Sequence, residues 1–124
     1  MPVIEIRALP QPAGVEVEAV LGAVTQGLAA LLGEEPRGTW ATWEELAPGR
    51  YSEGGDAPTV QPRATHPPLV RIVAFEGRSR SLVAALLERV AAILARELAL
   101  EPGNVFVRYE EVRSGHLFTG GDVR

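Results

Sequence analysis

Few side chains in this sequence could carry covalent or proton-transfer chemistry, and the shortlist is set by what is missing. There is no cysteine, which excludes disulfides, thiolate metal sites and cysteine nucleophiles. The 12 basic residues are all arginine, so Schiff-base chemistry on a lysine is excluded as well. His66 and His116 are the two histidines, and because neither lies in a metal-ligand spacing no metal is assigned. Ser52 and Ser114 sit among turn-forming residues, with no Ser-His-Asp arrangement around them. The stretches GRYSEGG and SGHLFTGG carry glycines but do not follow a strand and open a helix, as a phosphate cradle requires. The paired acids Glu44-Glu45 and Glu110-Glu111 alternate faces of a strand, and their default role is a solvated strand edge. What remains is Pro2. Behind Met1 it is a strand opener with no N–H to give a ladder. With Met1 removed, its nitrogen becomes a secondary amine, a base at the tip of an ordered strand.

The elements that must position such a base come in two copies. Sliding the sequence by 66 residues gives 18 identities over 57 gapless pairs, with Pro2 on Pro68, Ile6 on Ile72 and Leu28 on Leu94. Glu35-Pro36 falls on Glu101-Pro102, and Gly54-Gly55-Asp56 falls on Gly120-Gly121-Asp122. Two similar helices would not account for the matched Gly-Gly-Asp turns, so the chain is a duplication. A period this long, repeated only twice, is a fused pair and not a solenoid. Each copy reads strand, helix, strand: strands at 2–9 and 38–46 around a helix at 15–32, then strands at 68–75 and 104–112 around a helix at 79–98. Val17, Val20, Leu21, Val24, Leu28 and Leu31 form the apolar stripe of the first helix, and Ser79 is the N-cap expected for the second. The chain therefore divides into a first β-α-β unit at 2–56, a linker at 57–67 and a second unit at 68–122. The stretch SEGGDAPTVQPRATHPP around that linker, at 52–68, is rich in glycine and proline and reads as exposed. Right-handed crossovers let both units share one four-stranded sheet with both helices on one face. The other face still carries apolar residues, which predicts assembly through it.

Differences between the copies locate the chemistry. Arg78 has Pro12 as its repeat partner, and Arg108 has Thr42. Only the first copy has its proline next to the amino terminus, since the nitrogen of Pro68 is an internal amide. Each copy lacks what the other has, a pattern expected for one surviving site built from Pro2 and second-copy arginines.

The second copy resembles the 4-oxalocrotonate tautomerase family along about sixty residues, through the strand-opening Pro68, the EGRS at 76–79 and the closing hairpin with Gly115-His116 and Gly120-Gly121. The first copy resembles the same unit more weakly, through Pro2, its helix pattern and its Gly-Gly ending. Together they look like a fused, two-repeat member of the tautomerase superfamily. That resemblance implies an α/β fold of two tandem β-α-β units in a trimeric assembly, with an amino-terminal proline as general base and no cofactor. It assigns catalysis to Pro2 and carboxylate binding to Arg78, reaching Pro2 from the other unit. The family's second arginine, on the strand after the helix, is replaced here by Trp40 and Phe106. Arg108 lies two residues beyond Phe106, on the same strand face, and is a candidate substitute. The family's pocket phenylalanine aligns with Tyr51 and with Leu117, next to Phe118, so Phe106 and Phe118 complete the candidate substrate-binding set. No counterpart is evident for the extra acid used by dehalogenase and decarboxylase relatives.

The expected activity is movement of a proton on a small enol or dienol carboxylate by a homotrimeric cytoplasmic isomerase. Two other classes share part of the evidence: a non-catalytic ligand-binding or scaffold trimer, and a ferredoxin-like regulatory dimer, which has the same element order. A net charge of -4 argues against a general nucleic-acid surface. The most apolar stretch, at 81–100, is interrupted by Glu88, Arg89, Arg96 and Glu97 and cannot span a bilayer. No signal peptide is recognisable in MPVIEIRALP.

Overall fold

The computed structural model describes residues 1–124. In order along the chain it contains β1 (Val3–Ala8), α1 (Val17–Leu32), a 3-10 turn at Pro36–Gly38, β2 (Trp40–Glu45), β3 (Leu69–Phe75), α2 (Arg80–Glu97), β4 (Phe106–Val112) and a short hairpin of β5 (Phe118–Thr119) and β6 (Asp122–Val123). The four long strands form one sheet in the order β2-β1-β3-β4. β1 is parallel to β2, β3 is parallel to β4, and β1 and β3 meet antiparallel at the centre. An antiparallel junction between two parallel pairs is what a two-fold relation between the repeats requires. The two ladders repeat in detail: the Trp40 N–H donates to the Pro2 carbonyl at 3.0 Å, and the Phe106 N–H to the Pro68 carbonyl at 3.1 Å.

Alternation along the strands decides which side is covered. Ile4, Ile6 and Ala8 of β1 and Val70, Ile72 and Ala74 of β3 are buried, and the four larger of these, Ile4, Ile6, Val70 and Ile72, pack with Val24, Leu28, Val90 and Leu94 of the helices. α1 and α2 lie against each other closely enough for Gly27 to face the Ile93 side chain, where a Cβ would collide with its terminal methyl. Both helices end alike. Gly33 and Ala99, repeat partners, take left-handed φ values of 66° and 53°. The next N–H, from Glu34 or Leu100, then reaches back to Ala29 or Ala95. Ser79 accepts from the Leu82 N–H at 3.2 Å, the N-cap expected from the sequence. No helix is long and apolar enough to cross a membrane.

Two expectations need correcting. The linker is not exposed throughout: Gln61 and His66 are buried. The Gln61 amide donates to the carbonyls of Pro62, Thr65 and His66, and that of Asn104 donates to those of Pro62, Arg63 and Thr65. These bonds satisfy backbone groups that proline-rich chain cannot pair with itself, so the segment folds down over the Pro68 end of the sheet. The uncovered sheet face is also less apolar than predicted. Across its middle, Arg71 pairs with Glu5 at 2.6 Å and with Glu110 at 3.3 Å, and Arg108 reaches the same Glu110 oxygen at 3.5 Å. Arg71 and Arg108 stand directly opposite each other in the ladder, and Glu110 separates their like charges.

Candidate functional site

The antiparallel junction brings Pro2 and Arg78 to one end of the sheet. Val3 pairs with Val73, so Pro2 flanks the end of β3 from which the chain leaves through Phe75, Glu76 and Gly77 to Arg78. The Pro2 side chain is fully buried, and its place in the alternation puts it on the helix-covered side with Ile4.

The loop carrying Arg78 is fastened at several points. The Glu76 N–H donates to the Val112 carbonyl at 3.0 Å, and the Ser114 N–H donates to the Glu76 carboxylate at 3.0 Å. The Gly77 N–H donates to the Glu111 carboxylate at 3.3 Å. Gly77 itself has φ 104°, a conformation that favours glycine. Glu111 is thus more than a solvated edge residue: it braces the turn that presents the arginine.

Arg78 is mostly enclosed, with 16% of its side chain exposed. Its Nη1 donates to the Phe75 carbonyl at 3.4 Å and to the Tyr109 hydroxyl at 3.3 Å. Its Nη2 lies 4.0 Å from the Glu34 carboxylate, at the end of α1. Three oxygens from three elements therefore surround one guanidinium, which compensates much of the cost of withdrawing a cation from water. Chemically, the end of the sheet offers a buried proline nitrogen blocked only by Met1 and an oriented cation suited to a carboxylate. Met1 is half-buried, and its sulfur accepts from the Thr119 hydroxyl at 4.0 Å, so the β5–β6 hairpin closes over the same end.

The remaining candidates from the sequence lie elsewhere in a single chain. Phe118 belongs to the hairpin at the Pro2 end but is 70% exposed. Phe106 and Arg108 share a strand face as expected, on the side of the sheet away from the helices. Phe106 pairs with Leu69, at the end of the sheet opposite Pro2. A surface depression of about 490 Å³ lies on that face among Glu5, Arg7, Arg71, Phe106 and Arg108, and touches neither Pro2 nor Arg78. One chain does not bring these two residues to the proline.

Tyr109 and Glu34 were not singled out by the sequence reading, yet both surround Arg78. The signal was present in the repeat: their partners are Trp43 and Leu100. At the other end of the sheet the equivalent positions are Pro12, Trp43 and Leu100, with Pro68 held in the chain. There the Tyr51 hydroxyl donates to the Pro67 carbonyl at 2.7 Å, and the Tyr51 ring lies edge-on to buried His66 at 5.1 Å. The His66 ring is itself used up by the Asp56 carbonyl at 2.7 Å and the Thr65 hydroxyl at 2.9 Å. The Arg78 end keeps a guanidinium, a hydroxyl and a carboxylate together, whereas the polar groups of the other end are tied up by the linker that closes it.

No family model matches the sequence, and no curated protein matches it. Solved structures do match in fold. A native fused 4-OT superposes with a TM-score of 0.83 at 14% identity, covering 98% of this chain and 94% of that one. A wild-type fused 4-OT described as an asymmetric trimer gives 0.81 at 21% identity over 98% and 94% of the two chains. A member of the cis-3-chloroacrylic acid dehalogenase family gives 0.74 at 20% identity over 98% and 82%. The fold is thus that of the fused two-repeat tautomerases along nearly the whole chain, as the resemblance in sequence implied.

Proposed function

We propose that this chain is a cofactor-independent cytoplasmic tautomerase that moves a proton on a small enol or dienol carboxylate, working as a homotrimer. The observation that carries the reading is the convergence of Pro2 from one repeat and Arg78 from the other at a single end of the sheet. The opposite end has neither a free proline nitrogen nor an arginine at the matching position. Trimeric fused 4-OT structures of the same fold support the assembly.

Removal of Met1 frees the Pro2 nitrogen. A terminal amine has an ordinary pKa of roughly 8, and enclosure beside a cation disfavours its charged form. It is then a neutral base near pH 7, the condition for efficient proton transfer. Arg78 holds the substrate carboxylate, Pro2 takes the proton of the enol, and the same proton returns to carbon. Phe106, Arg108 and Phe118 are exposed in one chain, so in this reading they contribute to the site of a neighbouring copy.

Mass spectrometry of the native protein should show Met1 absent. An assay with 2-hydroxymuconate or an arylenolpyruvate should find Pro2→Ala slower in kcat by about 10²–10⁴-fold, the usual contribution of a positioned base. Arg78→Ala should chiefly raise KM. Equal turnover by wild type and Pro2→Ala would overturn the assignment. A carboxylate-binding trimer without turnover is the second reading, and aromatic residues at both Trp40 and Phe106 favour it. Carboxylate binding without conversion of either substrate would establish it.

A further inference from the structure

The contacts of Arg78 contain an asymmetry that the reaction does not by itself require. Three positions around the guanidinium differ in kind from their repeat partners: Arg78 against Pro12, Tyr109 against Trp43 and Glu34 against Leu100. Trp43 packs against the core from β2, as Tyr109 does from β4, so an aromatic ring is what packing demands at both places. The hydroxyl is the addition. Likewise Leu100 is buried beyond α2, whereas Glu34, at the same point beyond α1, is exposed and directs its carboxylate to Arg78.

We propose that Tyr109 and Glu34 set the anion affinity of Arg78 in opposite directions, Tyr109 as a positioning residue and Glu34 as an internal carboxylate that the substrate must displace. This rests on the reading of Arg78 as the carboxylate site. Nη1 is committed to the Phe75 carbonyl and the Tyr109 hydroxyl, which fixes the plane of the guanidinium. Nη2 is left pointing at Glu34. At 4.0 Å that pair is an ion pair without a good hydrogen bond, so it neutralises the cation while leaving its strongest donor geometry unfilled. An incoming carboxylate that binds Nη2 within hydrogen-bond distance gains a charge-assisted bond which Glu34 does not make. Glu34, 41% exposed, can swing into solvent at little cost. Binding is therefore an exchange of one carboxylate for another. A second carboxylate on the substrate, placed towards α1, would meet Glu34 as a like charge, which favours a monocarboxylate with an uncharged tail over a dicarboxylate.

The test is a set of single substitutions, Tyr109→Phe, Glu34→Gln and Arg78→Ala, in the full-length protein with Met1 removed. Titration calorimetry with phenylpyruvate and with muconate as probes reads binding, and turnover of an arylenolpyruvate and of 2-hydroxymuconate reads KM and kcat. Tyr109→Phe keeps the ring in the core and should weaken binding of the monocarboxylate about five- to tenfold, raising KM with kcat little changed. Glu34→Gln should strengthen it about two- to fivefold, and should improve dicarboxylate binding more than monocarboxylate binding. A purely structural role for either residue would move the unfolding midpoint without this opposed pattern in affinity. If Arg78→Ala abolishes binding while Tyr109→Phe and Glu34→Gln bind as wild type does, the proposal is overturned and the assignment of Arg78 stands. If Arg78→Ala binds as well as wild type, the carboxylate site is elsewhere and both fall.

Discussion

Replacing Gly77 by alanine should destabilise the protein and loosen carboxylate binding, while the same replacement at Gly22 should stabilise it. Neither substitution introduces a collision, because a Cβ at either position meets nothing within 4 Å. The difference is confined to the backbone. Gly77 holds φ 104°, well beyond the small left-handed region that other residues tolerate, and the cost of holding alanine there is about 1–3 kcal/mol. Gly22 lies inside α1 with helical φ, where alanine gains roughly 0.5–1 kcal/mol. Denaturant unfolding at one fixed protein concentration, with unchanged m, should therefore place the two variants on opposite sides of wild type, about 1.5–4 kcal/mol apart by these same figures. Relief of the strain would move the Gly77 N–H off the Glu111 carboxylate and carry Arg78 away from the Phe75 carbonyl. KM of Gly77→Ala should then rise with that of Arg78→Ala, and KM of Gly22→Ala should stay at the wild-type value. A Gly77→Ala protein as stable as Gly22→Ala would refute the claim that this turn depends on glycine.

Ala99→Gly should stabilise the protein by about 0.5–1 kcal/mol. Ala99 is exposed and holds φ 53° where its repeat partner Gly33 pays no steric penalty, so glycine relieves strain without giving up burial; thermal unfolding checks it. Ser79→Ala should cost about 1 kcal/mol by leaving the Leu82 N–H without its cap, read by the same unfolding measurement. Burial, and then the Glu53 carboxylate, push the Tyr51 hydroxyl above its ordinary 10.0. A raised folded value means that the stability it contributes is complete below pH 10 and is lost as pH climbs through the folded value. Phenolate absorbance should therefore show one of the two tyrosines titrating late, and Tyr51→Phe should remove that phase and flatten the alkaline loss of stability.

Much of the fold was legible because duplication turns one sequence into two readings of the same structure. Helix and strand periods, the matched Gly-Gly turns and the shared Glu-Pro steps located every long element to within about two residues of its observed ends. The Gly54-Gly55 and Gly120-Gly121 turns have matching positive φ values, as identical turn residues demand. Comparing the repeats also exposed Pro2 and Arg78, since a residue whose partner differs in kind is not explained by the shared fold. Beyond those residues, packing alone decides. Nothing local distinguishes Tyr109 from a second core aromatic, or Glu34 from a solvated residue beyond a helix end. Their meaning comes from Arg78 arriving beside them across the crossovers.

The chain by itself determined the repeat, the parallel pairs, the covered sheet face and the chemical inventory of a proline, arginines and no thiols, because these depend on residue type and spacing along one strand or helix. Only the tertiary structure decided that the linker folds down on buried Gln61 and His66, that one charged row crosses the open face, and that Phe106 and Arg108 lie away from Pro2. Those outcomes depend on where the antiparallel join of β1 and β3 sets the two repeats against each other. A register is a property of pairing between segments 66 residues apart, and it is selected by the burial of both together.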